Sequence, residues 1–157
     1  MPKVKRKRVI GAPRMEVWNL VSDPYHLARW WPRVKRVEAV YERKGGSGTR
    51  WTNVFAARSG RDLRSDFRCT HSRKAAAYGW EQEVADSPFR KLLRSAMTTI
   101  DLADAGDSAT SVTIGVDQRF RGLNRLGGLF ARSAARRQLD EALDGIARAI
   151  GDEGNRS

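Results

Sequence analysis

Few side chains in this 157-residue sequence suit acid–base or nucleophilic chemistry near neutral pH. The histidines are His26 and His71, and the single cysteine is Cys69. An inward-facing histidine could act as general acid or base, because its ordinary pKa lies near ~6.5. His71 closes the segment "FRCTH", where strict alternation puts it on the face of Phe67 and Cys69. An exposed strand-end histidine is the competing reading. Cys69 reads more readily as a small buried hydrophobe than as a nucleophile. A lone cysteine excludes an internal disulfide and a cysteine-based zinc site, and it fits a reducing compartment. The sequence contains no HExxH, no CxxC, no phosphate-cradling glycine loop and no nucleophile elbow. No metal or cofactor is expected, and no catalytic residue is assigned.

A second set of residues suits recognition. Asn53, Ser65 and Gln82 each interrupt an otherwise apolar strand face. A buried amide without a partner costs ~1–3 kcal/mol, so each must bond to a neighbour, to water or to a ligand oxygen. Apolar walls with a few polar groups are the usual lining of a small-molecule site. The walls would come from Trp51, Phe55, Phe67 and Trp80. Trp30 and Trp31 stand adjacent in the polar segment "SDPYHLARWWPRV". Neighbours on a short helix point about 100° apart, so one can plug a core while the other covers a cavity mouth. Simple packing of both is the alternative.

These residues must be held by short elements. Pro13 suits the first turn of a helix, and Val17, Leu20 and Val21 recur at helical spacing with Trp18 beside them. Asp23 as N-cap and Pro24 behind it start a second short helix that Pro32 ends. A run of strands comes next. Val37, Ala39 and Tyr41 share a face, as do Trp51, Asn53 and Phe55. Leu63, Ser65, Phe67 and Cys69 alternate cleanly against Arg64, Asp66, Arg68 and Thr70. Tyr78, Trp80, Gln82 and Val84 continue the pattern, and Val112, Ile114 and Val116 close it. Strands joined by turns such as "KGGSG", "SGRD" and "DSP" favour an antiparallel meander.

The C-terminal stretch is helical. Ala131, Ala135, Leu139, Ala142, Ile146 and Ile150 form one stripe. Leu123, Leu126 and Phe130 form another, well round the cylinder from the first. One straight helix cannot bury both stripes against one flat sheet. Gly127–Gly128 lies at the phase change, so a break or kink is expected there. Leu123–Phe130 would be a mobile apolar gate, and the long helix would run from about Leu129 to Ile150.

Hydrophobic content of 40% and charged content of 31% describe an ordinary globular domain, and the length suits one domain over 1–157, with 151–157 as a tail. No apolar run reaches the ~20 residues of a membrane-spanning helix, and a cytoplasmic location is expected. The net charge of +12 raises nucleic acid as a partner. Acids are interleaved nearly everywhere after residue 38, however, so nucleic acid is not the favoured partner. The dense block "KVKRKR" could be a tail or a first strand. As a strand it would turn Arg6 and Arg8 to the face of Ile10, with Arg8 placed to grip an acid group on a ligand. Pairing with a protein carboxylate, or escape to water, is the alternative.

The order of elements carries a resemblance. Ile10, Ala12-Pro13, Val17-Trp18, Asp23-Pro24, Trp30 and Pro32, followed by "GTRWT" (Gly48–Thr52), resemble the opening of the START-like, or SRPBCC, superfamily, especially its polyketide cyclase/dehydrase members, and suggest a bacterial protein. The specific motif covers residues 10–52. The resemblance implies an α+β helix-grip fold, in which a curved antiparallel sheet of about seven strands wraps a long C-terminal helix and two short helices follow the first strand. It also implies a hydrophobic cavity between sheet and helix. The expected function is binding of an apolar or amphipathic small molecule, lipid- or polyketide-like. The expected lining is Trp30, Trp31, Trp51, Asn53, Phe55, Ser65, Phe67, Trp80, Gln82, Leu126 and Phe130. A polyketide cyclase/dehydrase-type enzyme is the first alternative. A basic accessory protein meeting an acidic partner or nucleic acid is the second. The oligomeric state is left open.

Overall fold

The computed structural model describes residues 3–154, and side-chain burial through residue 151. Seven strands form one antiparallel sheet: β1 (Lys3–Ile10), β2 (Val34–Tyr41), β3 (Arg50–Ala56), β4 (Asp62–Arg73), β5 (Ala77–Glu83), β6 (Leu93–Asp104) and β7 (Thr110–Phe120). Their order is β1-β7-β6-β5-β4-β3-β2. The chain crosses the sheet once, between its two edges, through α1 (Arg14–Val21), a 3-10 turn (Pro24–His26) and α2 (Leu27–Trp30). It then meanders back to pair β7 with β1. The long helix α3 (Arg125–Gly154) lies across the inner face. This is the expected helix-grip arrangement. Helix α3 extends to Gly154, into the segment expected to be a tail, and residues 155–157 lie outside the described residues.

Local chemistry explains the entry helices. Asp23 Oδ1 accepts the Tyr25 N–H at 3.0 Å, which starts the 3-10 turn behind Pro24. The turn runs into α2, and Trp31 leaves in an extended conformation before Pro32. Helix α2 then presses on α3 at one point. A Cβ added to Gly145 would lie 2.2 Å from the Trp30 carbonyl oxygen. Only a glycine permits that approach.

Period-two alternation holds in β3, in most of β4 and in β7, and it fails at bulges. The register of β4 against β5 slips between Cys69 and His71. Cys69 is buried opposite Trp80, whereas His71 pairs with Gly79 on the outer face, where its ring fills the space above that glycine. The inward placement of His71 is therefore corrected: one extra residue in the strand reverses the phase of the residues beyond it. Strand β2 slips twice, and Ala39 adopts φ 51°. Val37 and Val40 pack on the core, while Ala39 and Tyr41 are exposed, so Val37 does not share one face with Ala39 and Tyr41 as the alternation implied.

The basic start is strand β1. Val4 and Ile10 are buried, and Arg6 and Arg8 between them reach α3. Arg6 forms two parallel hydrogen bonds with Asp140, at 2.8 and 3.1 Å, and Arg8 donates to Asp144 one turn on. Arg8 is thus committed to a protein carboxylate, and its expected grip on a ligand acid is corrected. The outer face of the sheet is a second charge lattice. Arg68 pairs with Glu81, Arg50 with Glu83, and both Arg36 and Arg64 with Glu38. Each exposed pair contributes ~0–1 kcal/mol, so these pairs arrange charge more than they stabilise.

The expected break at Gly127–Gly128 does not occur. Asn124 caps the helix, its Oδ1 accepting the Gly127 N–H at 2.7 Å, and α3 runs unbroken. The two stripes need not share a sheet, because the first turns have no core beneath them: Leu126, Leu129 and Phe130 are exposed, and full burial begins at Ala135. Leu123–Phe130 is the overhanging start of α3 rather than a separate flap.

Two glycines of this helix should respond oppositely to alanine. Gly145→Ala forces α2 away from α3 and should cost about 1–3 kcal/mol. Gly128→Ala meets no atom within 4 Å and should stabilise by roughly 0.5–1 kcal/mol. Urea denaturation of both variants checks the pair. A neutral Gly145→Ala would show that the α2–α3 contact is loose.

Candidate functional site

The space between sheet and helix is largely filled by aromatic rings. Trp30 contacts Trp31 edge-on at 5.5 Å, and Trp31 contacts Trp80 at 5.2 Å. Trp51 meets Trp80 at 6.1 Å and stacks on Phe67 at 6.0 Å. Tyr78 links Trp80 to Trp18. All five tryptophans therefore belong to one connected cluster, over which Leu139, Ala142 and Ile146 of α3 close. Trp30, Trp51 and Trp80 are only 2, 1 and 3% exposed.

A cleft of about 680 Å³ lies beside this cluster, and a smaller pocket of about 310 Å³ shares Pro32, Arg33, Gln118, Phe120 and Gln138 with it and carries Glu141 on its far side. Phe55 and Leu63 come from β3 and β4, Gln82 from β5, Leu93 from β6, and Gln118 and Phe120 from β7. Pro32 and Arg33 form one lip, and Gln138 of α3 forms the roof. Phe89 and Leu92 enter from the β5–β6 loop. That loop is shaped by Ser87, whose Oγ donates to the Val84 carbonyl at 2.8 Å and accepts the Phe89 N–H at 3.1 Å. Phe89 is thereby set edge-on to Phe55, with centroids 6.3 Å apart. Arg33 holds φ 66°, a left-handed conformation costly for a residue with a Cβ.

Of the side chains expected from the sequence, Phe55 and Gln82 line this cleft. Trp30, Trp31, Trp51, Phe67 and Trp80 lie in the aromatic cluster behind it. Leu126 and Phe130 project from the overhanging start of α3 and do not line it. The polar trio is brought together. Gln82 Nε2 donates to Ser65 Oγ at 2.8 Å, and Ser65 is the register partner of Asn53. Asn53 Oδ1 is buried without a hydrogen-bond partner, as are the indole nitrogens of Trp30 and Trp51. Sequence reasoning missed Phe89, Leu92, Gln118, Phe120 and Gln138. Gln118 and Phe120 were readable as continuations of the Val112–Val116 alternation. The loop residues and Gln138 carry no periodic signal toward the cleft.

The lining holds no Asp, Glu, His, Cys, Lys or Tyr. Its charged groups, Arg33 and Arg58, cannot act as bases. Its three glutamine amides can each donate and accept one neutral hydrogen bond or more. Among the described residues, no group of three His, Cys, Asp or Glu converges to hold a metal, and no helix is long and apolar enough to cross a membrane. Cys69 is fully buried, with Sγ 3.4 Å from the His71 carbonyl. Burial pushes its thiol up, and burial likewise pushes the neighbouring Tyr78 phenol well above its usual range.

A family model described as polyketide cyclase / dehydrase and lipid transport matches residues 1–151. Solved structures share the fold. A START superfamily protein from Mycobacterium smegmatis superposes with a TM-score of 0.78 at 11% identity, over 96% of this chain and 97% of that one. The di-domain ARO/CYC BexL from the BE-7585A biosynthetic pathway gives 0.78 at 19% identity, over 96% of this chain and 47% of that one. A protein from Nitrosomonas europaea gives 0.74 at 15% identity, over 98% and 96%. No curated protein matches significantly in sequence.

Both raised acids predict alkaline instability. A buried thiol and phenol keep their protons in the folded state at pH values where the unfolded chain has lost them. The unfolded state then binds fewer protons, so stability falls as pH rises above the ordinary thiol range. Cys69→Ala should flatten the early part of that decline in denaturation followed from neutral to alkaline pH. An unchanged slope would show that Cys69 is not the group responsible.

Proposed function

The chain belongs to the polyketide cyclase/dehydrase and lipid transport family, and from that premise we propose that it binds an apolar or amphipathic small molecule in the cleft beside the aromatic cluster. One observation carries this reading. A cleft of about 680 Å³ has an apolar lining broken by Gln82, Gln118 and Gln138, and it lacks any group able to take up or release a proton near neutral pH. That volume lies within the range of ligand pockets, ~300–1,000 Å³. Glutamine amides match the carbonyl and hydroxyl oxygens of a neutral, ring-forming or chain-like oxygenated molecule. A cyclase that works by proton transfer needs a positioned acid or base within reach of the reacting atoms. Neither histidine lines the cleft, and the Cys69 thiol is buried and held protonated. Binding is therefore favoured over catalysis.

The apolar walls set affinity and the amides set orientation. Gln82 spends one amide N–H on Ser65, which leaves its second N–H and its carbonyl oxygen for a ligand. Phe89 and Leu92 sit on a loop, so the outer wall can shift as the ligand enters, while Phe55 rests on Phe67 in the fixed core.

Titration with the neutral dye Nile red, read by its fluorescence, tests the location. Leu63→Arg puts a charged chain into the cleft and should weaken dye binding by about tenfold or more, since one buried aliphatic side chain is worth ~1.5–3 kcal/mol. Leu126→Arg, outside the cleft, should leave it unchanged. The opposite pattern would move the apolar site to the exposed start of α3 and overturn the reading. Native mass spectrometry of freshly purified protein should show a co-purifying small mass that Leu63→Arg loses.

A further inference from the structure

The start of α3 is unusual for a helix that otherwise buries one face. Leu126, Leu129 and Phe130 are 61, 66 and 68% exposed, and they lie at the spacing that makes one stripe. Leu123 just before the helix and Leu92 on the β5–β6 loop are also exposed. The two segments are tied together: the Arg121 N–H donates to the Leu92 carbonyl at 2.9 Å, and Arg121 Nε to the Arg90 carbonyl at 3.1 Å. Leu123 and Leu129 line one groove, Leu126 and Phe130 continue that stripe along the helix, and Leu92 lies on the loop tied to its base.

The charge lining the base of that stripe is one-sided: the groove holds arginines and no acid, and Arg94 at one edge also borders the outer-face acids Glu83 and Asp86. The sequence has no Asp or Glu between Asp117 and Asp140, a stretch with six arginines, and none between Asp86 and Asp101, where Arg90, Lys91 and Arg94 are the charged residues. Elsewhere acids are plentiful, and on β1–α3 and the outer sheet face they are spent on ion pairs with arginines. The groove has a volume of about 880 Å³, lined by Phe120, Leu123 and Leu129 and edged by Arg94, Arg119 and Arg125. Apolar side chains ringed by cations, with no acid among them, describe a surface complementary to an anionic interface that also accepts hydrocarbon. A second copy of the chain fits poorly. A two-fold contact there would set the same arginines against each other.

We propose that this surface of the molecule docks on an anionic lipid bilayer. Leu123, Leu126, Leu129 and Phe130 enter the interfacial layer, and the arginines around them face lipid phosphates. Phe120 lines both this groove and the cleft described above, so docking brings the cleft mouth to the lipid surface. The proposal does not depend on what the cleft binds.

Cosedimentation with vesicles tests it, using phosphatidylcholine alone and equal parts phosphatidylcholine and phosphatidylglycerol. The full chain should bind the anionic vesicles, not the neutral ones, and binding should weaken as salt rises. Leu126→Ser with Phe130→Ser should lower partitioning about tenfold or more. Because the whole chain is basic, the charge test needs a control. Arg119→Glu with Arg125→Glu should lower partitioning by a similar factor, whereas Lys5→Glu with Lys7→Glu, the same charge change on β1, should alter it less than about twofold. Nile red binding in the cleft should survive in all three variants, which separates this test from the previous one. Equal loss in the two charge variants would reduce the effect to net charge and overturn the proposal. So would failure of the wild type to bind anionic vesicles. A dimer that the leucine–phenylalanine variant dissociates would assign the face to self-association. Duplex nucleic acid bound in preference to vesicles would assign it to a different partner.

Discussion

The convergence of all five tryptophans on the inner face governs the rest of this structure. Large rings from α1, the end of α2, β3 and β5 meet mostly edge-on, at centroid distances of 5.2 to 6.2 Å. Their volume fills the part of the grip beneath the C-terminal half of α3. Rings in contact at these distances leave no room for a ligand, so free space is displaced toward the other end of the sheet. The cleft lies there, between Phe55, Phe120 and Gln138. The position of the cleft follows from where the aromatic core stops.

That arrangement demands close approach of the covering elements. Trp30 cannot reach the cluster unless α2 lies almost against α3, and Gly145 is the residue that allows it. On its other side α3 packs on β1, where Arg6 and Arg8 meet Asp140 and Asp144 in exposed pairs that set register more than they stabilise. Its first turns extend beyond both restraints. The exposed stripe at Leu126–Phe130 is thus a consequence of helix length: α3 is longer than the core it covers.

Electrostatics divides the molecule in the same direction. Acids are concentrated on the outer sheet face and on the middle of α3, where arginines meet them. The hydrogen bonds from Arg36 and Arg64 hold the Glu38 carboxyl below its usual range, a sign that this pairing favours the charged form. The end near the cleft mouth has arginines without acids in either nearby stretch of sequence. Net charge alone gave no hint of this division, because it sums over both ends.

The periodic features were legible in the order of the residues. Alternation placed Trp51, Asn53, Phe55, Ser65, Phe67 and Cys69 on the inner face, Asp23 and Pro24 announced the turn before α2, and the stripe through Ala135, Leu139, Ala142 and Ile146 set the buried side of α3. Each of these depends on backbone geometry that repeats every few residues, so neighbours in sequence carry the signal. The tertiary structure alone decided what depends on single-residue slips or on distant meetings. A bulge turned His71 outward and another turned Ala39 and Tyr41 away. Arg8 found Asp144 rather than a ligand because α3 crosses above β1. The cleft draws Pro32, Phe55, Phe89, Phe120 and Gln138 from five parts of the chain. No local pattern relates them, and only strand order and sheet curvature bring them together.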